Sequence, residues 1–413
     1  MIPTMTFDDK LSSYADLIVA VGLNLQAGQQ LMASAPLEAS PLLAKVTEAA
    51  YKRGVRYVHP FYSDDAVTLA RFKYAPRDSF DFYPDWLARG MLELVEDNGA
   101  RLSITGNDPD LLKGQDGDAI AASQKAAQTA LKPFMGKIMK DAVNWCVAAT
   151  ATPAWADKVF PDAPAGERLE LLWDAIFKAV RADSEDAVAN WQTHLAELEA
   201  RRTHLNGRRY SALHYRGPGT DLLLGLADGH VWKGGATQND AGTTFVANLP
   251  TEEVFTAPHR ARVEGTVSSS KPLSYGGQLI EDFSFTFKDG SVVDAHAAQG
   301  EDALKRLLAT DDGATRLGEV ALVPHSSPIS QSGILFYNTL FDENAASHLA
   351  LGRAYRFCAE GGTTMSDDEA QAVGLNDSLT HVDFMIGSSE MEITGVRDDG
   401  GEEPVMAAGE WGF

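Results

Sequence analysis

Residues 29–62 read QQLMASAPLEASPLLAKVTEAAYKRGVRYVHPFY, and this stretch decides the fold of the first half of the chain. Residues 29–35 and 56–62 are short runs that suit strands, and residues 41–53 between them carry a helical pattern. The alternation continues outward, with strands expected at 101–105 and 144–150 and helices at 84–97 and 120–140. Strands alternating with helices of this length make βαβ units and a mainly parallel sheet. Two more helices follow. Leu169, Leu172, Trp173 and Ile176 fall on one helical face, as do Ala187, Trp191, Leu195 and Leu198 behind a Ser184 cap.

The character changes at the basic stretch RRTHLNGRR, residues 201–209. In an acidic chain it reads as a solvated linker or a helix C-terminus rather than a nucleic-acid patch. Beyond it the sequence is strand-rich, with β-branched or aromatic runs at 210–215, 221–226, 262–268 and 283–287 separated by Gly-containing turns. A chain of 413 residues exceeds one hydrophobic core. We therefore expect an N-terminal α/β domain over residues 1–205, a mainly parallel sheet with flanking helices. A strand-rich α+β domain over 206–413 is expected to carry the catalytic site.

The formal net charge is −23 and the isoelectric point is near 4.7. Such a chain repels phosphate backbones and anionic lipid, so neither nucleic acid nor a membrane is an expected partner. Cys146 and Cys358 show no metal or disulfide spacing and read as buried thiols of a reducing compartment. Residues 1–10 lack a signal-peptide pattern and no apolar run is long enough to span a bilayer, so the cytoplasm is expected. Gly217-Pro218-Gly219 and Gly276-Gly277 lack phosphate-loop spacing and read as turns, and no GxSxG elbow occurs.

Three features carry chemistry. His381-Val382-Asp383 lies in a strand-like run, where residues two apart share a face, so imidazole and carboxylate project together as a divalent metal prefers. A simple hydrogen-bonded pair fits the same pattern. His348 lies in a segment, 342–357, that reads as a helix capped by Asp342 or Asn344, with His348, Gly352 and Tyr355 on one face. Gly352 then leaves room for a ligand or marks tight packing. Glu319 interrupts the apolar run LGEVALV, and Glu252-Glu253 sits among apolar neighbours, either as an exposed turn or as a ligand and a base. Together these residues would hold two divalent ions if one carboxylate bridges them. Such a site polarises a carbonyl and generates hydroxide at neutral pH, the chemistry of amide hydrolysis.

Four segments closely resemble the M29 metallopeptidases. They are LPTEEVFTAPHR at 249–260, EGTVSSSKPLSYGGQLIEDF at 264–283, RLGEVALVPHSSPISQSGILFYNTLFDENAASHLALGRAY at 316–355 and NDSLTHVDFMIGSSEMEITG at 376–395. The resemblance extends more loosely over nearly the whole chain. It implies an aminopeptidase acting on peptides with a free N-terminus, with two divalent cations per subunit. Zinc or cobalt leads, with manganese or magnesium compatible. The family's metal positions fall on Glu253, Glu319, His348, His381 and Asp383, with Glu319 bridging, and its active-site tyrosine falls on Tyr355. Glu252, beside a ligand, is the candidate general base. In a regular strand it would face away from Glu253, so it needs a turn or bulge there. The resemblance also implies a homodimer. The competing readings are a dinuclear amidohydrolase or dipeptidase on another small amide, and a non-catalytic binding protein of the same fold. His214, His230, His259, His296, His325 and Asp221 receive structural or surface readings.

Overall fold

The computed structural model describes residues 5–275 and 278–413. The turn expected at Gly276-Gly277 lies outside the described residues, as does the start of the 1–10 stretch. The chain divides into two compact units, Met1–Leu195 with Ala236–Pro250, and Ala196–Gly235 with Thr251–Phe413.

In the first unit, strands β1 (Gln30–Pro36), β2 (Tyr57–Ser63), β3 (Ala100–Thr105) and β4 (Trp145–Ala149) form a parallel sheet in the order β2-β1-β3-β4. Each parallel step needs a crossover, and the helix Ser40–Lys52 supplies the first by burying Leu42, Leu43, Val46, Ala49 and Ala50. Helices Asp85–Glu96, Gly117–Ile138 and Arg168–Ala179 occupy the other expected helical stretches. Ser184 does not cap the next helix, Ala187–Arg208. Asp186 accepts from the Ala189 N–H instead, and Ser184 Oγ donates to the Arg181 carbonyl. That helix runs through the basic stretch, which is thus a helix C-terminus. Among the described residues no helix is long and apolar enough to cross a membrane.

The second unit is antiparallel throughout its strand pairings. A nine-stranded sheet takes Pro258–Ser268, Thr220–Leu226, Ala212–Gly217 and Glu392–Val396 as its central run. A separate four-stranded sheet positions the candidate site. Its strands β5 (Val254–Thr256), β6 (Leu317–Leu322), β7 (His348–Gly352) and β8 (His381–Met385) pair in sequence order.

The expected helix over residues 342–357 is not there. Thr339–Asp342 forms one helical turn, Glu343–Ala345 a 3-10 turn, and His348–Gly352 is β7. Every residue of β7 is buried between two partner strands, so its apolar run lacks the polar alternation of a half-exposed strand. A fully buried strand and a buried helix segment look alike by periodicity. Gly352 has a strand role: its φ is +108°, and a Cβ there would lie 2.2 Å from the Thr380 carbonyl oxygen. Only glycine lets β7 approach β8 this closely.

Candidate metal centre

The sheet register gathers the acids and imidazoles onto one face. Ala350 on β7 lies opposite Glu319 on β6 and Asp383 on β8, and Gly352 lies opposite His381. Because alternate residues share a face, β7 presents His348, Ala350 and Gly352 there, one large side chain and two minimal ones. The small pair leaves space for side chains arriving from both neighbours. Glu253 joins from the irregular residues just before β5, which is paired with β6.

Two overlapping groups result, Glu253–Glu319–His348 and Glu319–His381–Asp383, each with its donor atoms within 4.8 Å of one another. Glu319 belongs to both. Its Oε1 lies 3.9 Å from His348 Nε2 and its Oε2 lies 3.3 Å from His381 Nε2. Glu253 Oε2 is 3.2 Å from His348 Nε2, and Asp383 Oδ1 is 3.4 Å from His381 Nε2.

Both imidazoles are oriented from behind. His348 Nδ1 lies 3.1 Å from the Ala346 carbonyl oxygen and His381 Nδ1 lies 2.7 Å from that of Arg353. A carbonyl only accepts, so each Nδ1 carries the proton and each Nε2 is directed at the carboxylates, the arrangement of metal-ligating histidines. Glu253 Oε2 is buried and makes no well-directed hydrogen bond despite its nearness to His348. A buried carboxylate oxygen left orphaned beside an imidazole nitrogen is what a cation between them explains. The donor set, carboxylates with imidazoles, fits zinc, cobalt or manganese.

The electrostatics agree with a cation-hungry cluster. Burial alone would lower the His348 pKa, but Glu253, Asp383 and Glu319 push it up to about 10. Burial opposes the His381 cation too, yet Asp383 and Glu319 push it up to about 11. Burial, with Asp383 and Glu253 adding to it, pushes Glu319 up to about 7. For Asp383 burial is outweighed by the hydrogen bond and charge of His381, which hold its carboxyl low. At pH 7 both imidazoles are therefore cations standing where metals would. Loading the site then has to expel about two protons, one per imidazole. The overall binding constant is expected to rise about 100-fold per pH unit from neutrality to about pH 10, since two protons compete, and to fall more steeply below pH 7, where Glu319 takes up a proton as well. Calorimetry in buffers of different ionisation enthalpy measures the release directly, and zero protons released would contradict this charge state.

A cleft of about 280 Å³ opens onto His381 and Asp383, with Glu343 in its wall. Glu343 is a residue the sequence reading missed. Burial, then Glu253 and Asp383, raise its carboxyl well above the usual range, so it faces the same cluster. A signal is present: Asp342-Glu343-Asn344 interrupts the apolar company of Leu340-Phe341 and Ala345-Ala346 much as Glu319 interrupts its own run, but Asp342 and Asn344 read as caps of the expected helix. Glu252 is buried in the irregular segment before β5, its N–H donating to Asn344 Oδ1 at 2.7 Å. It is not part of the cleft wall. Tyr355 follows β7, its ring centroid 4.8 Å from that of His381 and stacked at 5.1 Å on Phe357. Of the residues given bland readings, His214 pairs with Asp221 at 2.6 Å, away from this cluster on the nine-stranded sheet.

A family model for the thermophilic metalloproteases (M29) matches residues 7–411. The chain is 48% identical to Aminopeptidase AmpS of Bacillus subtilis, over 99% of this chain and 100% of that protein. It is 49% identical to Aminopeptidase 2 of Geobacillus stearothermophilus, over 98% of each. The wild-type AmpT structure from Thermus thermophilus matches with a TM-score of 0.93 at 44% identity, covering 99% of this chain and all of that one.

Proposed function

Because this chain belongs to the M29 family of thermophilic metalloproteases, we propose that it removes the N-terminal residue of peptides at the cluster described above. The observation that carries this reading is Glu319, whose two carboxylate oxygens face two different imidazoles. Glu253, His348 and Glu319 would hold one divalent cation, and Glu319, His381 and Asp383 a second, with zinc or cobalt favoured. When bound, such a pair supplies Lewis-acid polarisation of the scissile carbonyl and lowers the pKa of water.

The protein's own groups supply the rest. The Ala346 and Arg353 carbonyls fix the two imidazoles, so the ligands need little rearrangement. Tyr355 donates its phenolic proton in a hydrogen bond to the oxyanion that develops on the attacked carbonyl. Burial and the surrounding carboxylates push its pKa upward, which keeps it a donor at neutral pH. Glu252, buried beside Glu253, is assigned as the general base that takes the proton of the attacking water. A homodimer and a cytoplasmic location belong to the same reading, the latter supported by the free buried thiols of Cys146 and Cys358.

Leucine p-nitroanilide tests the proposal. Chelator-stripped protein is expected to be inert, and zinc or cobalt is expected to restore hydrolysis. Metal uptake without hydrolysis would redirect the site to other small amides, and absence of metal uptake would remove the basis of the reading.

A further inference from the structure

An exopeptidase has to read the free α-amine of its substrate, and that group arrives as a cation. The proposed cluster is poorly disposed to receive it. Three carboxylates, Glu253, Glu319 and Asp383, would be committed to the divalent ions, so the cluster keeps no free negative charge for an ammonium. A further carboxylate is needed beside it, one that borders both the cluster and the cleft.

Three carboxylates line the cleft, namely Asp342, Glu343 and Asp383. Asp383 is one of the metal-holding groups. Both oxygens of Asp342 are occupied, Oδ1 accepting from the Phe336 N–H at 2.8 Å and Oδ2 from the Asn338 N–H at 2.9 Å. Glu343 alone is left: its backbone N–H closes the preceding helical turn, but its carboxylate has no hydrogen bond or ion pair among the described residues. Its backbone is nonetheless fixed. The neighbouring Asn344 is fully buried, donates from Nδ2 to the Leu340 carbonyl at 3.0 Å, and accepts the Glu252 N–H on Oδ1 at 2.7 Å. The turn carrying Glu343 is thereby tied to the Glu252-Glu253 segment that supplies a metal-holding carboxylate. A rigid backbone, an unused carboxylate and an open cleft meet at one residue.

We propose that Glu343 is the specificity residue that binds the substrate's α-ammonium and seats the first peptide bond against the metal cluster. This rests on the aminopeptidase reading of the same cluster. It makes Glu343 a binding group, with no part in proton transfer.

The test uses the full-length, metal-loaded protein and the near-isosteric Glu343→Gln variant, with Glu343→Asp beside it. For leucine p-nitroanilide, Glu343→Gln is expected to raise KM about 10- to 100-fold, the usual worth of a hydrogen bond to a charged group. The kcat is expected to stay within a few-fold, and metal content to be unchanged. Inhibition by 3-methylbutylamine should weaken by a similar factor, while inhibition by 3-methylbutanol, which lacks the amine, should not. Glu343→Asp should recover part of the loss. A fall in kcat at constant KM, equal weakening of both inhibitors, no change in either, or loss of metal would each overturn the assignment. Failure of the wild type to hydrolyse the anilide would instead strike the aminopeptidase reading, and is scored separately.

Discussion

Replacing Glu319 with Gln is expected to cost the protein both cations and at least about 10³-fold in the hydrolysis of leucine p-nitroanilide. The change keeps the volume of a side chain buried in β6 and removes only its charge, so the sheet has no cavity to collapse into. Glu319 is the one group shared by both candidate metal sites, each oxygen facing a different histidine. An amide in its place presents an NH2 toward one imidazole Nε2 and so turns a cation-binding edge into a donor. Changes behind a ligand already lower metal affinity about 10- to 100-fold, and loss of a shared ligand acts on two sites at once. The expectation differs for Glu253→Gln, which belongs to one group and should leave one cation in place. Metal content by elemental analysis, read beside activity, decides the matter. A Glu319→Gln protein that keeps two equivalents of metal and activity within tenfold would mean Glu319 is a buried structural acid.

How much of this centre was legible beforehand depends on what each residue needed from the fold. His381 and Asp383 were readable because the strand period is 2, and two ligands two apart carry their geometry with them. Glu319 was readable as an anomaly, a carboxylate in an otherwise apolar run that burial makes costly. The parallel sheet of the first unit was readable because its strands and helices alternate at crossover lengths. His348 stands out as a candidate ligand, but its segment reads as a helix, since a strand buried on both faces has no polar alternation to announce it. Gly352 was seen to need a reason, and that reason is a contact with Thr380, a residue 28 positions away in sequence that only the pairing of β7 with β8 brings near. Glu343 escaped for a related cause. Its local context offered a cap, and its cleft is assembled from segments near residues 272, 337 and 382. Residues that act through a long-range cavity leave no local period to read.

Tyr355→Phe is expected to lower kcat about 10²- to 10³-fold while leaving KM and metal content close to those of the parent. The ring's position does not depend on its hydroxyl. It stacks on Phe357 at 5.1 Å with the planes 15° apart, meets the edge of Phe255 at 6.3 Å, and packs against a cluster containing Ala354 and Cys358. Phenylalanine keeps all of those contacts, so the fold and the neighbouring His381 should be undisturbed. What is lost is a donor aimed at charge that exists only as the carbonyl is attacked, and such a donor is worth about 3–4 kcal/mol of barrier. An interaction made in the transition state and absent from the bound substrate appears in kcat, with KM little changed. Steady-state kinetics with metal analysis on the same preparation separates the possibilities. Full kcat in Tyr355→Phe would take the phenol out of catalysis, and loss of metal with loss of rate would recast it as a support for His381.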